Sequence, residues 1–595
     1  MSKAHTMESI TKKIKRYFRV KFQSDLSAGL TVAMVVIPQS MAYAAIAGIN
    51  PIFGLFTAII PTIIAAIFGS FPFLIVGPTN PTALVTASVL MNYANRSDYF
   101  EFVVALAVIA GLIYILFGLL KLGSLIRYIS NSVLVGFLTA VGVLIITYQL
   151  GNLFGLTLTR NGNIWGVLVN MVDSFSEINI FTLLVSLFSF GMMVLMRSLN
   201  RKLPSALITV VLATLLVFLT GWSTTQDVSL VSDYGLPENI SLGFHIPDIS
   251  LEALVALAPS AAAVAVFGLM ETLSIAKAMS QMTGEPLDPS RQILGQGIAV
   301  LTGGFFQCMP ASGSPSRTVI NVVNGAKTRF SAVISGLSVL IFLLLFSGFI
   351  GFIPKAALAA VVIVSAAGLV NINLIKLTWQ SRLQSRVVMM ITFISTLILP
   401  LEYAIYLGIL STILIYLSES SRMNLSYILE DQEGQFIELP LKDIAEEKPR
   451  IAIVNIEGDL YFAAVQDLQN QVEKILETDI EILILRFRRT HLLASTGVMA
   501  LDSLIGTARD KNVEVLFCGI QKDVLKPLES AGLIENIGKS RIFHANTQIF
   551  DSTQKALDEA KQILADKQAL ENKKNANAQN FSKETPTSNP DEIAR

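Results

Sequence analysis

Two charged side chains occupy apolar stretches in which a charge needs a partner or a function. Glu271 lies in the stretch 267–274 (FGLMETLS), and Arg317 follows the stretch 310–315 (PASGSP). A charge at the centre of a bilayer costs about 2.5–3.5 kcal/mol on insertion scales, so such residues are normally paired, hydrated and functional. Arg317 could bind an anion, and Glu271 could take up the proton or cation that accompanies it. A purely structural ion pair between the two is the alternative.

Polar side chains that could assist an anion site occur at two further places. Ser314 and Ser316 could donate hydroxyl hydrogen bonds beside Arg317. Gln39 and Tyr43 lie in another apolar run, and their i, i+4 spacing puts them on one face of a helix. Polar contacts between helices are the commoner role of such groups in membranes, so this role stays open for both residues.

The charge pattern divides the chain into three parts. The 595 residues include 44 Lys and Arg and 44 Asp and Glu, but the net charge is +6 over 1–22, +2 over 23–424 and −8 over 425–595. The middle part is poor in charge, whereas the last part is as rich in charge as a soluble domain. This pattern excludes a cationic nucleic-acid-binding protein and a disordered chain. It indicates a membrane domain followed by a soluble domain.

The middle part contains fourteen candidate membrane spans. A bilayer core about 30 Å thick needs roughly 20 apolar residues per helix. Apolar runs lie near 26–46, 51–69, 81–93, 100–120, 131–152, 180–196, 204–222, 253–277, 292–309, 315–325, 329–350, 353–371, 386–400 and 402–418. With a cytoplasmic N-terminus, the cytoplasmic loops hold twelve Lys and Arg residues and the opposite loops three, a positive-inside bias. The even number of spans also places the acidic C-terminal part in the cytoplasm.

The third and tenth spans are too short to cross a bilayer as single helices. Each begins with a Gly- and Pro-containing opening, within 76–81 in one and 303–315 in the other. They are the third members of two halves in a seven-plus-seven arrangement, and interrupted segments at matching positions indicate the binding site of a transporter. The unpaired N–H groups at the start of a helix favour an anion. Ordinary spans kinked by Gly and Pro are the alternative.

These residues resemble the motifs of the SulP family of sulfate permeases and anion exchangers. The resemblance is carried by residues 25–33 (DLSAGLTVA), 37–44 (IPQSMAYA), 77–79 (GPT), 271–273 (ETL), 295–297 (GQG), 310–314 (PASGS), 316–318 (SRT) and 324–328 (NGAKT). It implies an α-helical polytopic domain of fourteen spans in two inverted seven-helix repeats, divided into core and gate domains. It also implies an elevator-like movement of the core and a homodimer. Gln292 and Ala299 depart from the usual residues of the family and leave the subfamily open.

The resemblance further implies an anion site between the third and tenth spans. The positions that would line this site are Gln39, Tyr43, Thr82, Ala83, Ser314, Ser316 and Arg317. Glu271 resembles the acidic position that some family members link to proton or sodium coupling.

Strands and helices alternate after residue 450, which is typical of an α/β fold. We predict strands at 450–456, 480–487 and 513–518, and helices at 463–477, 496–510, 521–531 and 552–565. Residues 458–462 (GDLYF) and 495–497 (STG) resemble the STAS domain. Because the Ser of this turn can be phosphorylated in soluble STAS relatives, Ser495 is a candidate regulatory site. The usual Asp is replaced by Ala494, and a plain helix N-cap is the alternative role of the turn.

The sequence therefore predicts five regions. They are a cytoplasmic basic N-terminal arm (1–24), a transmembrane anion-transport domain (25–420), a linker (421–447), a cytoplasmic STAS domain (448–567) and a disordered tail (568–595).

The predicted function is secondary active transport of a small inorganic anion, with sulfate as the first choice and a proton or sodium ion as the coupling ion. The expected location is the cell (inner) membrane, and no enzymatic activity, metal, cofactor or nucleic-acid partner is expected. Bicarbonate, chloride/bicarbonate or dicarboxylate transport are alternatives. A membrane-bound signalling scaffold and a nucleobase transporter of the same fold are rivals of other classes. Arg317 argues against nucleobases, whose sites tend to have acidic groups on both central helices.

Overall fold

The chain forms two compact units, residues 1–413 and 414–595. A computed structural model describes residues 17, 20–94, 96–123, 130–156, 164–200, 203–234, 242–431, 433–441 and 449–583. Most of the predicted basic arm, 1–24, lies outside these residues.

The described part of the first unit is built from helices. Those up to residue 220 are α1 (Phe22–Ile46), α2 (Pro51–Phe68), α3 (Asn80–Val89), α4 (Tyr99–Leu119), α5 (Asn131–Phe154), α6 (Ile164–Asp173), α7 (Ile180–Leu199) and α8 (Ser205–Thr220). After a connection that includes the helical turn Trp222–Thr225 come α9 (Leu251–Thr283), α10 (Pro289–Gly304), α11 (Pro315–Val323), α12 (Phe330–Ile350), α13 (Lys355–Ala367), α14 (Ile372–Gln380), α15 (Leu383–Ile398) and α16 (Leu401–Ser420).

A helix occupies each of the fourteen predicted spans, and two further helices, α6 and α14, were not predicted. Nine helical segments of the described chain are long and apolar enough to cross a membrane, and α6, α8 and α15 are shorter apolar helices. At ten and nine residues, α6 and α14 are too short to span a bilayer alone. The number of fourteen membrane crossings stays a prediction.

Helix packing separates the first unit into two groups. Helices α1–α4 pack with α9–α12, whereas α5, α7, α8, α13 and α15 pack mainly with one another. Glycines allow the closest approaches within each group. A Cβ atom on Gly111 of α4 would lie 2.5 Å from the backbone nitrogen of Leu301 in α10. One on Gly136 of α5 would lie 2.4 Å from the backbone oxygen of Met389 in α15.

Two short extended segments lie between helices of the first packing group. Strand β1 (Val76–Gly77) pairs antiparallel with β2 (Ser312–Gly313), with Val76 opposite Gly313 and Gly77 opposite Ser312. Because β1 leads into α3 and β2 leads into α11, the pairing brings the starts of these two helices together. Helix α3 has ten residues and α11 has nine, so each is about 14–15 Å long, half of a bilayer core. Both end earlier than predicted, at Val89 and Val323.

The second unit contains an α/β sheet. Its strands are β3 (Asn424–Glu430), β4 (Phe436–Pro440), β5 (Ile451–Glu457), β6 (Ile482–Arg489), β7 (Glu514–Ile520) and β8 (Ile542–His544), in the order β4-β3-β5-β6-β7-β8. The strands from β5 to β8 run parallel, and β3 is antiparallel to both of its neighbours. The helices are α17 (Phe462–Leu476), α18 (Ser495–Asp510), α19 (Lys522–Ser530), α20 (Leu533–Ile537) and α21 (Asp551–Lys583).

Two predicted boundaries are corrected by these elements. The predicted linker 421–447 contains β3 and β4, which extend the sheet beside β5. Polar residues interrupt the apolar pattern of both strands, which hid them in the sequence. The predicted disordered tail 568–595 begins inside α21, which continues to Lys583 through a stretch in which most residues, but not its Asn residues, have high helix propensity. Residues 584–595 lie outside the described part.

Helix α21 is fastened to one face of the sheet. Ala556, Leu557 and Ala560 are buried together with Cys518 of β7. Arg486 of β6 is buried, and it donates to Oγ1 of Thr553 at 3.0 Å and to the carbonyl of Ile549 at 3.1 Å. It also donates to Oδ1 of Asn455 at 2.8 Å. Burial lowers the pKa of the Arg486 guanidinium.

Candidate functional site

The site is framed by the segment that precedes α3 and by α11. The backbone N–H of Ser314 donates to the carbonyl of Ile75 at 2.9 Å, and the N–H of Ile75 donates to Oγ1 of Thr318 at 3.1 Å. One turn further on, the side-chain amide of Asn321 donates to the carbonyl of Phe73 at 3.0 Å. Helix α11 is therefore held along its length by the segment leading into β1.

The two helix starts differ in how their N–H groups are satisfied. In α3, Oγ1 of Thr79 accepts from the N–H of Thr82 at 3.3 Å. In α11, Ser314 occupies the N-cap position but makes no capping hydrogen bond with its side chain. Its hydroxyl lies 3.5 Å from that of Ser316, which is exposed. The first turn of α11 therefore keeps N–H groups available for an anion.

Arg317 is fully buried in the first turn of α11. Its Nη2 donates to the carbonyl of Pro78, just before α3. Its Nε and Nη1 have no hydrogen-bond partner among the described residues. Gly77 makes room for this arrangement, because a Cβ atom there would lie 3.0 Å from Nη1 of Arg317. A buried cation with unpaired donors is costly to the protein, and a bound anion would remove much of that cost.

Glu271 of α9 holds a cluster of hydroxyl groups from both extended segments. Ser312 Oγ donates to Oε2 of Glu271 at 2.5 Å, and Oγ1 of Thr79 donates to the same oxygen at 3.2 Å. Thr82 Oγ1 lies 2.8 Å from each of these two hydroxyl oxygens. A change in the charge of this carboxylate would therefore alter hydrogen bonds in the segments that lead into both α3 and α11. The neighbouring Thr272 accepts from the N–H of Gly313 at 2.8 Å, so α9 also holds the backbone of β2.

Glu271 and Arg317 do not form a direct ion pair, since no contact between them falls within 4.0 Å. Each charged group is held by other partners, hydroxyls for the carboxylate and a carbonyl for the guanidinium. Glu271 therefore does not occupy Nε and Nη1 of Arg317, and both donors stay available.

Helix α1 supplies the third wall. Gln39 and Tyr43 are buried on it, and α1 packs against α3, α11 and α13. The amide of Gln39 donates to Oγ of Ser365 in α13 at 3.5 Å, while its Oε1 has no partner in the described chain. Ala83 of α3 is fully buried. The structure thus packs the helix of the first predicted span against the helices of the third and tenth predicted spans.

Several residues of this site were not singled out in the sequence. Thr79 and Ser312 stand in the quoted motifs, but nothing local shows that they bind a carboxylate 192 and 41 residues away. Ser365 and the crowded position of Gly77 also had no sequence signal. Within the described ranges, no group of three or more His, Cys, Asp or Glu residues is placed to hold a metal ion.

Ser495 lies in the second unit, as the first residue of α18. The N-cap position is occupied by Ala494, and no side chain caps the helix. The predicted N-cap role of the turn is therefore wrong for Ser495. Its side chain is exposed at the start of a helix, where a phosphate group would meet a favourable dipole.

Comparison with known families shows to which family the chain belongs. The model of the sulfate permease family matches residues 22–392, and the model of the STAS domain matches residues 444–556. The chain belongs to the sulfate permease family. As a member of the sulfate permease family it is a multi-pass membrane transporter of anions with a C-terminal STAS domain, and it is not an enzyme.

Curated relatives match this sulfate permease family chain over most of their own length. The putative sulfate transporter YvdB of Bacillus subtilis (strain 168) is 26% identical over 539 residues, which cover 90% of this chain and 99% of the relative. The probable sulfate transporter 4.2 of Arabidopsis thaliana is 28% identical over 548 residues, covering 88% and 80%.

Solved structures show the same fold. The murine Solute Carrier 26 family member A9 anion transporter, in its inward-facing state, has a TM-score of 0.81 and 20% identity, covering 91% of this chain and 92% of that chain. The transmembrane domain of the cyanobacterial bicarbonate transporter BicA has a TM-score of 0.55 and 23% identity, covering 66% and 97%.

Proposed function

We propose that this sulfate permease family member transports sulfate, which binds to Arg317 between the facing starts of α3 and α11. The observation that carries the proposal is the full burial of Arg317 with Nε and Nη1 unpaired. An unpaired buried donor costs about 1–3 kcal/mol, and hydrogen bonds to a charged acceptor are the strong ones. A tetrahedral oxyanion offers acceptors in several directions and suits a planar guanidinium. The relatives named as sulfate transporters support this choice of anion.

The other lining residues would complete the coordination of the anion. Ser314 and Ser316 would add hydroxyl donors at the start of α11. Tyr43 and the amide of Gln39 would close the site from α1. Ala83 would contribute a small side chain, because its N–H already donates to the carbonyl of Thr79 at 2.9 Å.

Thr82 would act indirectly, through the hydroxyl cluster around Glu271. We assign the coupling ion to Glu271, with a proton or a sodium ion as the two candidates. A protonated carboxyl group would have to donate a hydrogen bond as well as accept them, which would rearrange the hydroxyls of Ser312 and Thr79. A sodium ion would instead draw the same oxygens together. Either change would be transmitted to β1 and β2, which carry the anion site.

Transport would proceed by an elevator-type movement of α1–α4 and α9–α12 against the helices of the second packing group. The proposed orientation places the N-terminus and the STAS domain in the cytoplasm at the inner membrane, with the protein as a homodimer. Ser495 is retained as a candidate regulatory site. No cofactor takes part in this proposal.

The proposal is tested by uptake of labelled sulfate into proteoliposomes, with proton and sodium gradients imposed in turn. Unlabelled sulfate, bicarbonate, chloride and fumarate are then added as competitors. We expect saturable uptake that one of the two gradients drives and that sulfate competes with most strongly. Arg317→Gln should abolish uptake, whereas Arg96→Gln, at an exposed arginine paired with Asp98, should not. If bicarbonate or chloride competes more strongly than sulfate, that anion and not sulfate is the substrate. If no transport is observed, the result supports a signalling scaffold.

A further inference from the structure

Asp25 is a fully buried carboxylate near the start of α1, and it binds the loop that follows α11. Its Oδ1 accepts from the N–H of Lys327 at 2.6 Å and from the N–H of Thr328 at 3.0 Å. Its Oδ2 accepts from the hydroxyl of Thr328 at 2.5 Å. The contact joins the motifs 25–33 and 324–328 through residues that are 302 positions apart, and none of its residues is among those assigned to line the anion site.

The loop is shaped to present these donors. Helix α11 ends at Val323, and Gly325 has a φ of +86°, a conformation that favours glycine. The N–H of Gly325 donates to the carbonyl of Val322 at 3.0 Å, and the N–H of Ala326 to that of Asn321 at 3.1 Å. This Schellman-like end reverses the chain, so that the next two N–H groups converge on one carboxylate.

The charge of Asp25 is balanced by hydrogen bonds rather than by a basic side chain. In the described part of the chain no Lys or Arg nitrogen comes within 4.0 Å of it, and Lys327 itself is exposed. Its binding to the loop therefore depends on the N–H groups and on the hydroxyl of Thr328. Hydrogen bonds to a charged acceptor are short and directional, which gives the contact a defined geometry.

This contact completes a frame around Arg317. The first two turns of α11 are fastened to the segment before β1 through Thr318 and Asn321. Asp25 fastens the far end of α11 to α1, the helix that carries Gln39 and Tyr43. The hydrogen bonds of Thr318 and Asn321 hold α11 on one side. Asp25 adds a hydrogen-bonded attachment to α1, against which α11 also packs, and this limits pivoting of the nine-residue helix.

We infer that Asp25 is a positioning residue of the anion site, which holds the end of α11 against α1 and thereby keeps Arg317 aimed between the two half-helices. The inference rests on the proposed function in so far as Arg317 binds the anion. It assigns Asp25 and Thr328 a role in affinity for the anion without contact with it.

The test compares Thr328→Val, Thr328→Ser and Asp25→Asn in the full-length protein. Thr328→Val removes the hydroxyl donor but keeps the shape and both N–H groups, and Thr328→Ser keeps the donor. We measure KM and kcat for sulfate in proteoliposomes, and the melting temperature in detergent without the anion. Thr31→Val on α1 is the control, since among the described residues the Thr31 hydroxyl bonds only within its own helix, to the carbonyl of Ser27.

We expect Thr328→Val to raise KM about three- to tenfold while kcat stays within about twofold, because a small misplacement of a binding group weakens binding. Thr328→Ser should restore KM. Asp25→Asn should raise KM further, and adding Thr328→Val to it should have little extra effect if both act through one contact. A lower melting temperature with unchanged KM in Thr328→Val would overturn the inference and leave a structural role only. If the wild type moves another anion instead of sulfate, the proposed substrate fails, and the same comparison with that anion still decides the role of Asp25.

Discussion

Oγ of Ser312 lies 2.5 Å from Oε2 of Glu271, and this hydrogen bond attaches the extended segment before α11 to the middle of α9. Thr79, from the segment before α3, donates to the same oxygen at 3.2 Å. One carboxylate therefore binds both extended segments that lead into the proposed anion site. In the proposed mechanism, the coupling ion at this carboxylate and the anion at Arg317 would therefore act on the same two segments.

Glu271→Gln tests the proposed role of the Glu271 carboxylate in coupling. The amide cannot be ionised and its nitrogen cannot accept the bond from Ser312, so gradient-driven uptake of the anion should fall at least about tenfold. The variant should still be folded, because the change is isosteric. Uptake in the presence and absence of each gradient, together with size-exclusion profiles, measures both effects. Glu252→Gln, at an exposed position in the first turn of the same helix, is the matched control. Unaltered gradient-driven uptake would show that Glu271 is not the coupling residue.

Gly77→Ala tests the position of Arg317. The added Cβ atom would lie 3.0 Å from Nη1 of Arg317, tighter than ordinary van der Waals contact, so the guanidinium has to shift. We expect KM for the anion to rise about tenfold or more, because a misplaced binding group is ineffective. Gly348→Ala on α12, where no heavy atom lies within 4 Å of the added Cβ, should leave KM unchanged. Equal KM values for the two variants would mean that the guanidinium is not aimed at the anion.

The two cysteines, Cys308 and Cys518, should be unreactive in the folded protein. Both are buried, and burial raises the pKa of Cys518 to about 12. Because the thiolate is the reactive form, maleimide at pH 7.5 should label neither residue until the protein is denatured, when it should label both. Mass spectrometry counts the labels. Rapid labelling of Cys518 in the native protein would contradict the packing of α21 over β7.

Arg486→Met should loosen α21. The substitution removes the hydrogen bonds to Thr553, Ile549 and Asn455 and leaves the buried acceptors of Thr553 and Asn455 unsatisfied, a loss of about 2–4 kcal/mol. In a Cys308→Ser background, labelling of Cys518 should then become at least about 30-fold faster, the equivalent of 2 kcal/mol.

Arg450→Met is the control for this effect, since Arg450 makes a surface ion pair with Glu481, and such pairs contribute little. Equal labelling rates for Arg486→Met and Arg450→Met would show that Arg486 does not hold the helix.

Much of the helical architecture could be predicted because apolar runs are a local property of the chain. The broken third and tenth spans were also visible, since Gly and Pro act on the backbone where they stand. The strands β3 and β4 were missed because they are short and partly polar, and only pairing with β5 makes them strands. The extent of α21 was missed because polarity was taken as disorder, although most of its residues favour a helix.

The sequence by itself determined a charge-poor helical membrane domain with two interrupted segments, an α/β domain after it, and the candidate pair Glu271 and Arg317. Hydrophobicity, helix breakers and charge act at each position without regard to distant residues, so they can be followed along the chain. Only the tertiary structure decided that Ser312 and Thr79 hold Glu271, that Arg317 keeps unpaired donors, and that Asp25 binds Thr328. Each of these contacts joins residues that the packing of several helices brings together, and no local preference specifies such a partner.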